Sequence, residues 1–224
     1  MTIEKIGLGK LLKIFSARDA DRIRIIRSDL REERAKKLLV QEGGGDFYIA
    51  FWADAKAHVA GRLDLHISTI QRIADSAQRK TLYPLLCSGF LKWLELARRE
   101  TNHPLVPTAK NFHIRFEFPD LHLLLKIDNV MGLHGADGHD RLIYPFFCKE
   151  HRLNEKWARV GLWLMLQGFT EFDLDEFEIL DVIAGVGFSG RTLKLKGDEE
   201  AIFRTAYQKL HSEWSALRAE YGLD

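Results

Sequence analysis

The segment Phe112–Asp128, FHIRFEFPDLHLLLKID, alternates apolar and polar residues at every second position, turns at Pro119-Asp120, and alternates again. Successive side chains along a strand point to opposite faces, so a period of two over this length predicts two paired strands. The first strand puts Phe112, Ile114, Phe116 and Phe118 on one face and His113, Arg115 and Glu117 on the other. The second turns Leu121, Leu123, Leu125 and Ile127 inward and His122, Lys126 and Asp128 outward. Upstream of this pair the pattern is helical. Downstream it mixes strands and helices that fit against the same sheet.

The helical part begins with Ile6–Phe15, whose apolar spacing predicts a short amphipathic helix. Ser16 with Asp19 three residues on resembles a capping box and predicts a second helix over residues 17–40. Ile23, Ile26 and Leu30 form its apolar stripe, and Arg24, Arg27, Arg31 and Arg34 share an adjoining face. Gly43-Gly44-Gly45 breaks that helix, and Asp46 is placed to cap a third over residues 47–60. A fourth over residues 65–77 groups Leu65, Ile70 and Ile73 inward with Ser68, Thr69 and Gln71 outward. Residues 81–99 form a fifth, with Pro84 in its first turn where a missing donor costs little.

After the strand pair, LHGADGHD (residues 133–140) reads as a glycine-rich turn and Arg141–Cys148 as a third strand, with Pro145 predicting an interruption. Asn154 caps a helix to about Gln167, Phe177–Ala184 reads as a fourth strand and Thr192–Leu195 as a short fifth. Asp198, Glu199 and Glu200 open a last helix through the macrodipole. The expected fold class is therefore α+β: a helical N-terminal half packed against a small mixed β-sheet of about four to five strands flanked by two helices. The division expected is residues 1–108, helical and basic, and residues 109–224, α+β, with a single compact domain as the alternative.

Charge divides the chain the same way. Residues 1–110 hold 20 Lys+Arg against 13 Asp+Glu, whereas residues 111–224 hold 13 against 19, so a net +1 conceals a basic and an acidic half. Such a split marks either a nucleic-acid-facing surface or two halves that attract each other. The arginine row supplies the first reading with residues, since guanidinium forks bind phosphate oxygens at several points. A solvated helix face is the competing reading, in which Glu32–Lys36 and Glu33–Lys37 pairs account for much of the charge.

Other chemistry is largely excluded. Cys87 and Cys148 stand far apart with no metal or redox spacing. The opening MTIEKIGLGKLLKIF is too charged for a secretory signal, and the uncharged run Thr81–Leu91 is far short of a membrane span, so a cytoplasmic protein without membrane contact is expected. GVGFSG at residues 185–190 has the spacing of a dinucleotide-binding turn, but RTLKLKG follows where a helix must open. His134, His139 and Asp140 match no zinc pattern, and His113 and His122 sit on the polar face of the strand pair. No metal site and no cofactor are expected on these residues.

Helix, three strands, helix, strand over residues 81–184, with Asp128 ending the second strand, resembles the core of the restriction-endonuclease-like (PD-(D/E)XK, RecB-type) nucleases. The resemblance implies an acid on the second strand and an acid-x-Lys on the third, together holding Mg²⁺ and activating water. Here the third strand carries Tyr144 and Phe146 at the places for acid and lysine. A rearranged catalytic set of Glu117, Lys126 and Asp128 is the form an enzyme would take. The expected function is a non-catalytic module that binds nucleic acid or a nucleic-acid-processing partner through Arg24, Arg27, Arg31 and Arg34. A metal-dependent nuclease and an oligomeric scaffold are the alternatives, and nothing in the sequence fixes an oligomeric state.

Overall fold

The structure is a computed structural model that describes residues 3–37, 47–100, 104–135 and 140–223, the side chains of residues 36 and 37 excepted. The triple glycine, Asp46, His139 and the two Glu–Lys pairs of the second helix fall outside it. Among the described residues the fold is α+β, as the pattern implied, with seven strands rather than four or five. The strands are β1 (Lys5–Gly7), β2 (Val106–Pro107), β3 (Phe112–Phe118), β4 (Leu123–His134), β5 (Asp140–Phe146), β6 (Phe177–Asp181) and β7 (Val186–Ser189). The helices are α1 (Leu8–Ser16), α2 (Asp19–Lys37), α3 (Phe47–Val59), α4 (Leu65–Asp75), α5 (Tyr83–Arg99), α6 (Glu155–Gly168) and α7 (Glu199–Glu220). None of them is long and apolar enough to cross a membrane.

The opening strand pair lies at the centre. β4 runs antiparallel to β3 through its first half and to β2 at its end. Along its other edge lie β1, parallel over Leu124–Lys126, and then β5, antiparallel over Met131–His134. From β5 the sheet continues to β6 in parallel and β7 in antiparallel. The parallel step needs a crossover, which α6 supplies.

Helices cover both faces. On one, α1, α2, α6 and α7 bury Leu11, Leu12, Ile26, Leu30, Leu164 and Phe203 against Leu125, Ile127, Leu142 and Ile179. On the other, α3, α4 and α5 bury Phe51, Trp52, Phe90 and Leu94 against Met131, Ile143, Leu180 and Val182. The first 108 residues thus contribute helices to both faces and two strands to the sheet.

Several local readings are corrected. Ile6 belongs to β1, because three residues pairing with β4 take precedence over the helical spacing that continues through Leu8, Leu11 and Leu12. Ser16 does not cap α2; its hydroxyl donates to the Leu12 carbonyl at 2.6 Å and closes α1. On α4 the inward row is Leu65, Thr69 and Ile73, so Ile70 is 68% exposed and Thr69 is buried. Pro145 lies inside β5, but pairing with β4 stops at Ile143, so no β4 residue needs its missing N–H. The fifth strand expected at residues 192–195 is replaced by β7. Gly185 adopts φ +64° and turns the chain straight back on β6, so GVGFSG forms a hairpin and not a phosphate-binding turn.

Glu178 and Glu199 are among the charged groups built into the core. Glu178 on β6 is 4% exposed and accepts from Trp93 Nε1 of α5 and from Arg141 of β5, both at 2.7 Å. Glu199 opens α7, accepts from the backbone N–H groups of Lys196 and Gly197, and pairs with Arg159 of α6 at 3.1 Å. Buried pairs of this kind contribute little net stability but cost several kcal/mol to break.

Helix α5 approaches the β6–β7 turn most closely at Gly89, where an added Cβ would overlap the carbonyl oxygens of Val182 and Ile183. Gly89→Ala is expected to destabilise the protein by about 3 kcal/mol, because backbone rather than a pliant side chain must move. Urea denaturation checks this, with Gly61→Ala, which meets no neighbouring atom but carries φ +68°, as the comparison for pure backbone strain.

Candidate functional site

Along one edge of β4, β1 ends opposite Lys126, and β5, starting opposite His134, stops pairing at Met131. Between them β4 has no strand neighbour on that side. Against β3 the same stretch carries one extra residue, since Phe112 pairs with Val130 and Ile114 with Ile127. This β-bulge falls at Asp128-Asn129, and Asn129 takes the left-handed conformation at φ +66°. Bulges of this kind kink a strand and re-aim its side chains.

The gap opens into a cleft of about 370 Å³. One wall is the start of α1, with Gly7, Gly9, Lys10 and Lys13. The opposite wall is α3, with Tyr48, Ile49 and Trp52, and Phe147 just beyond β5. Lys126, Asp128, Asn129, Tyr144 and Pro145 complete the lining. Two hydrogen bonds pin α3 over the bulge: Trp52 Nε1 donates to the Asn129 carbonyl at 2.5 Å, and Lys56 Nζ to that of Val130 at 2.9 Å. Burial holds the Lys56 ammonium below its ordinary value. Tyr48 stacks on Phe147 with ring centroids 4.7 Å apart.

The polar groups of the cleft differ in what they touch. Lys10 pairs with Asp29 of α2 at 2.6 Å and Lys13 with Glu150 at 3.2 Å. Burial raises the Asp29 carboxyl above its ordinary value despite the pull of Lys10. Gly9 N–H donates to the Tyr144 hydroxyl at 2.6 Å, and Tyr144 is only 7% exposed. Burial drives that phenol well above its usual value, the Asp128 charge adds to the rise, and the Gly9 N–H opposes it. Among the described residues the Lys126 and Asp128 side chains make no hydrogen bond or ion pair, and the Tyr144 hydroxyl has Gly9 N–H as its partner.

Of the expected catalytic residues, Lys126 and Asp128 therefore share one cleft, and Glu117 does not join them. Glu117 pairs across from Leu124, four residues before Asp128. At the rise of a strand that separation is about 13 Å. The four arginines expected to bind nucleic acid are all exposed along α2. Arg24, Arg27 and Arg31 line a shallow hollow with Glu220 and Tyr221 from the end of α7. Arg24 pairs with Asp21 at 2.9 Å and Arg27 with Glu220 at 3.7 Å, and Arg31 Nε donates to the Arg27 carbonyl.

The remaining candidates separate. His113 and His122 are exposed, and His134 meets Asp140 at 3.0 Å on the surface. Among the described residues no three His, Cys, Asp or Glu side chains stand together as a metal site would require. Cys87 lies 3.7 Å from His66, but burial raises its thiol, as it does that of Cys148, and neither is an activated nucleophile.

Gly7-Leu8-Gly9-Lys10 was the signal that sequence reading passed over. A strand-to-helix junction with this composition brings backbone and lysine close to a ligand, but with β1 only three residues long the glycines looked like helix interior. Tyr48 and Trp52 fall in the third expected helix, and nothing in its spacing brings them to β4. Comparison of the chain with protein-family models, with curated proteins and with solved structures gave no match.

The Tyr144 phenol gives a pH test of this packing. A phenol whose folded pKa is raised stabilises the fold below its unfolded value of about 10, and that contribution is lost as pH rises through the folded value. Unfolding midpoints of wild type should therefore fall more steeply above pH ~10 than those of Tyr144→Phe. Tyr207, pushed up to about 12 by burial, remains in both and contributes to the residual slope.

Proposed function

We propose that this chain is a non-catalytic module that binds nucleic acid through its phosphate backbone, with the outer face of α2 as the contact surface. The observation that carries the reading is the arginine row: Arg24, Arg27 and Arg31 line one hollow, Arg34 follows on the next turn, and all four are exposed. Their acidic partners do not close the surface. Exposed ion pairs such as Arg24–Asp21 and Arg27–Glu220 contribute about 0–1 kcal/mol each, so a phosphate displaces the carboxylate at little cost. Arginine is also suited to this, since its planar fork meets two phosphate oxygens at once.

A second reading draws on the element order. Apart from the two-residue β2 between α5 and β3, the elements α5, β3, β4, β5, α6 and β6 follow as helix, three strands, helix, strand, and Lys126 and Asp128 on β4 share the cleft. This supports a restriction-endonuclease-like core. The donor set does not fit the divalent metal such a nuclease uses: Asp128 is the one carboxylate lining the cleft, and Tyr144 and Phe146 occupy the third strand. Phe146 is moreover buried in the core. The core is then a scaffold for binding, without metal-assisted hydrolysis.

Salt titration tests the first reading. Fluorescence anisotropy with a labelled oligonucleotide should show affinity falling linearly with salt on logarithmic axes. Replacing Arg24, Arg27, Arg31 and Arg34 with glutamine should weaken binding at every sequence and reduce the slope by about 1 per lost phosphate contact. An unchanged slope would remove α2 from the interface. For the second reading, calorimetry with Mg²⁺ and Mn²⁺ is expected to give no saturable heat and wild type no cleavage. Cleavage abolished by Asp128→Ala would instead establish a nuclease.

A further inference from the structure

Strand β3 closes the sheet along the first half of β4: among the described residues it pairs with β4 and with no other strand. The backbone groups it leaves open can be read from β4. Leu124 N–H donates to the Glu4 carbonyl at 2.7 Å, on the β1 side. The N–H and C=O of one strand residue point the same way and alternate along the chain, so Leu124 and Lys126 face β1 while Leu123, Leu125 and Ile127 face β3. Their partners Phe118, Phe116 and Ile114 therefore hold the ladder bonds. His113, Arg115 and Glu117 direct their N–H and C=O groups outward, away from β4.

The side chains of this edge are open as well. His113, Arg115 and Glu117 are exposed, and none makes a hydrogen bond or ion pair with a described residue. On the other face Ile114 and Phe116 lie against Gly168 of α6, and Phe118 against Trp163 and Phe203, yet all three stay only half-buried. An unpaired edge is a template for another strand unless proline or a bulge blocks it. The seven residues of β3 include no proline, and the bulge beside it belongs to β4.

The order of residues along the edge matches that of a second copy of itself. Antiparallel strands exchange hydrogen bonds where outward-directed residues stand opposite each other, which permits few registers. Centred on Phe116, Arg115 faces Glu117 of the second copy and Glu117 faces its Arg115, and each pair exchanges both N–H···O bonds. On the opposite face Ile114 meets Phe118 of the second copy, and the two Phe116 rings meet at the two-fold axis. Opposite charges, aromatic pairs and aromatic–β-branched pairs are the combinations that stabilise neighbouring strands. Centring on Arg115 would instead set two guanidinium groups face to face. Centring on Ile114 would pair Arg115 with His113 and leave Glu117 opposite Asn111, beyond the end of the strand.

We propose that β3 is a self-association edge, through which two copies of the chain pair antiparallel about Phe116 and join their sheets into one. The contact is isologous, as a two-fold axis requires. It uses no residue of the arginine face on α2 and does not depend on the nucleic-acid reading.

Sedimentation equilibrium on the full chain at micromolar to submillimolar concentration should show a monomer–dimer equilibrium. Hydrogen exchange at the amides of His113, Arg115 and Glu117 should slow as protein concentration rises. Arg115→Glu and Glu117→Arg should each weaken the dimer by about tenfold or more, since both cross-copy pairs then carry like charges. Both side chains are exposed, so the circular dichroism spectrum should not change. Combining the two substitutions restores opposite charges, and the dimer should return to within about threefold of the wild-type affinity. A wild type that stays monomeric at submillimolar concentration, a dimer insensitive to either single substitution, or a double variant no tighter than the singles overturns the proposal.

Discussion

Strand β4 has to serve four neighbours along twelve residues, and the rest of the molecule is arranged by how that is done. A strand of ordinary length has room for one partner on each edge. Here β3 and β2 share one edge in succession, and β1 and β5 share the other. On the second edge the two partners run in opposite directions and do not meet. The extra residue at Asp128-Asn129 lies where that edge is bare, so the strand bends at the point where it lacks support. Backbone carbonyls freed by the bulge are taken up by Trp52 and Lys56 of α3. The cleft is thus a consequence of strand pairing.

The two helical layers follow from the same sheet. β5 and β6 are apolar on both faces, so both must be covered, and burying one face alone would leave Ile143, Leu180 and Val182 in water. Glu178 and Asp181 are the exceptions within β6; Asp181 accepts from the backbone N–H groups of Leu153 and Ala184. The position of Glu178 is tolerable because Trp93 and Arg141 both donate to it, which also fixes α5 and β5 relative to β6.

The sequence made the period-two segments legible, since the face of each residue in β3 and in the first half of β4 follows directly from alternation. Helices α3, α5, α6 and α7 were legible for the same reason at a period of 3.6. What stayed hidden depends on contacts between distant segments. A three-residue strand such as β1 is too short to show a period, and only its pairing with Leu124–Lys126 makes it a strand. The face of α4 was misjudged because Leu65, Thr69 and Ile73 repeat every four residues, and a polar Thr69 holds the inward position against an apolar Ile70. Thr192–Leu195 has good strand composition, but β7 has already taken the edge of β6 by then, and Gly190 N–H bonded to the Phe177 carbonyl ends the ladder. Of the candidate site, Lys126, Asp128 and the arginine row were found by type and face. The company that Lys126 and Asp128 keep, namely Gly9, Tyr144 and Trp52, required the fold.

One surface for phosphate is therefore proposed: an open guanidinium face on α2 that tracks a backbone, built from arginines that the fold leaves exposed. Amide chemical-shift mapping with a single-stranded oligonucleotide at low salt addresses it directly. The account predicts shifts confined to the Arg24–Arg31 face of α2 and the neighbouring end of α7, reversed by added salt. Shifts confined instead to surfaces such as the exposed isoleucines of α4, or no shifts at saturating strand, would contradict it.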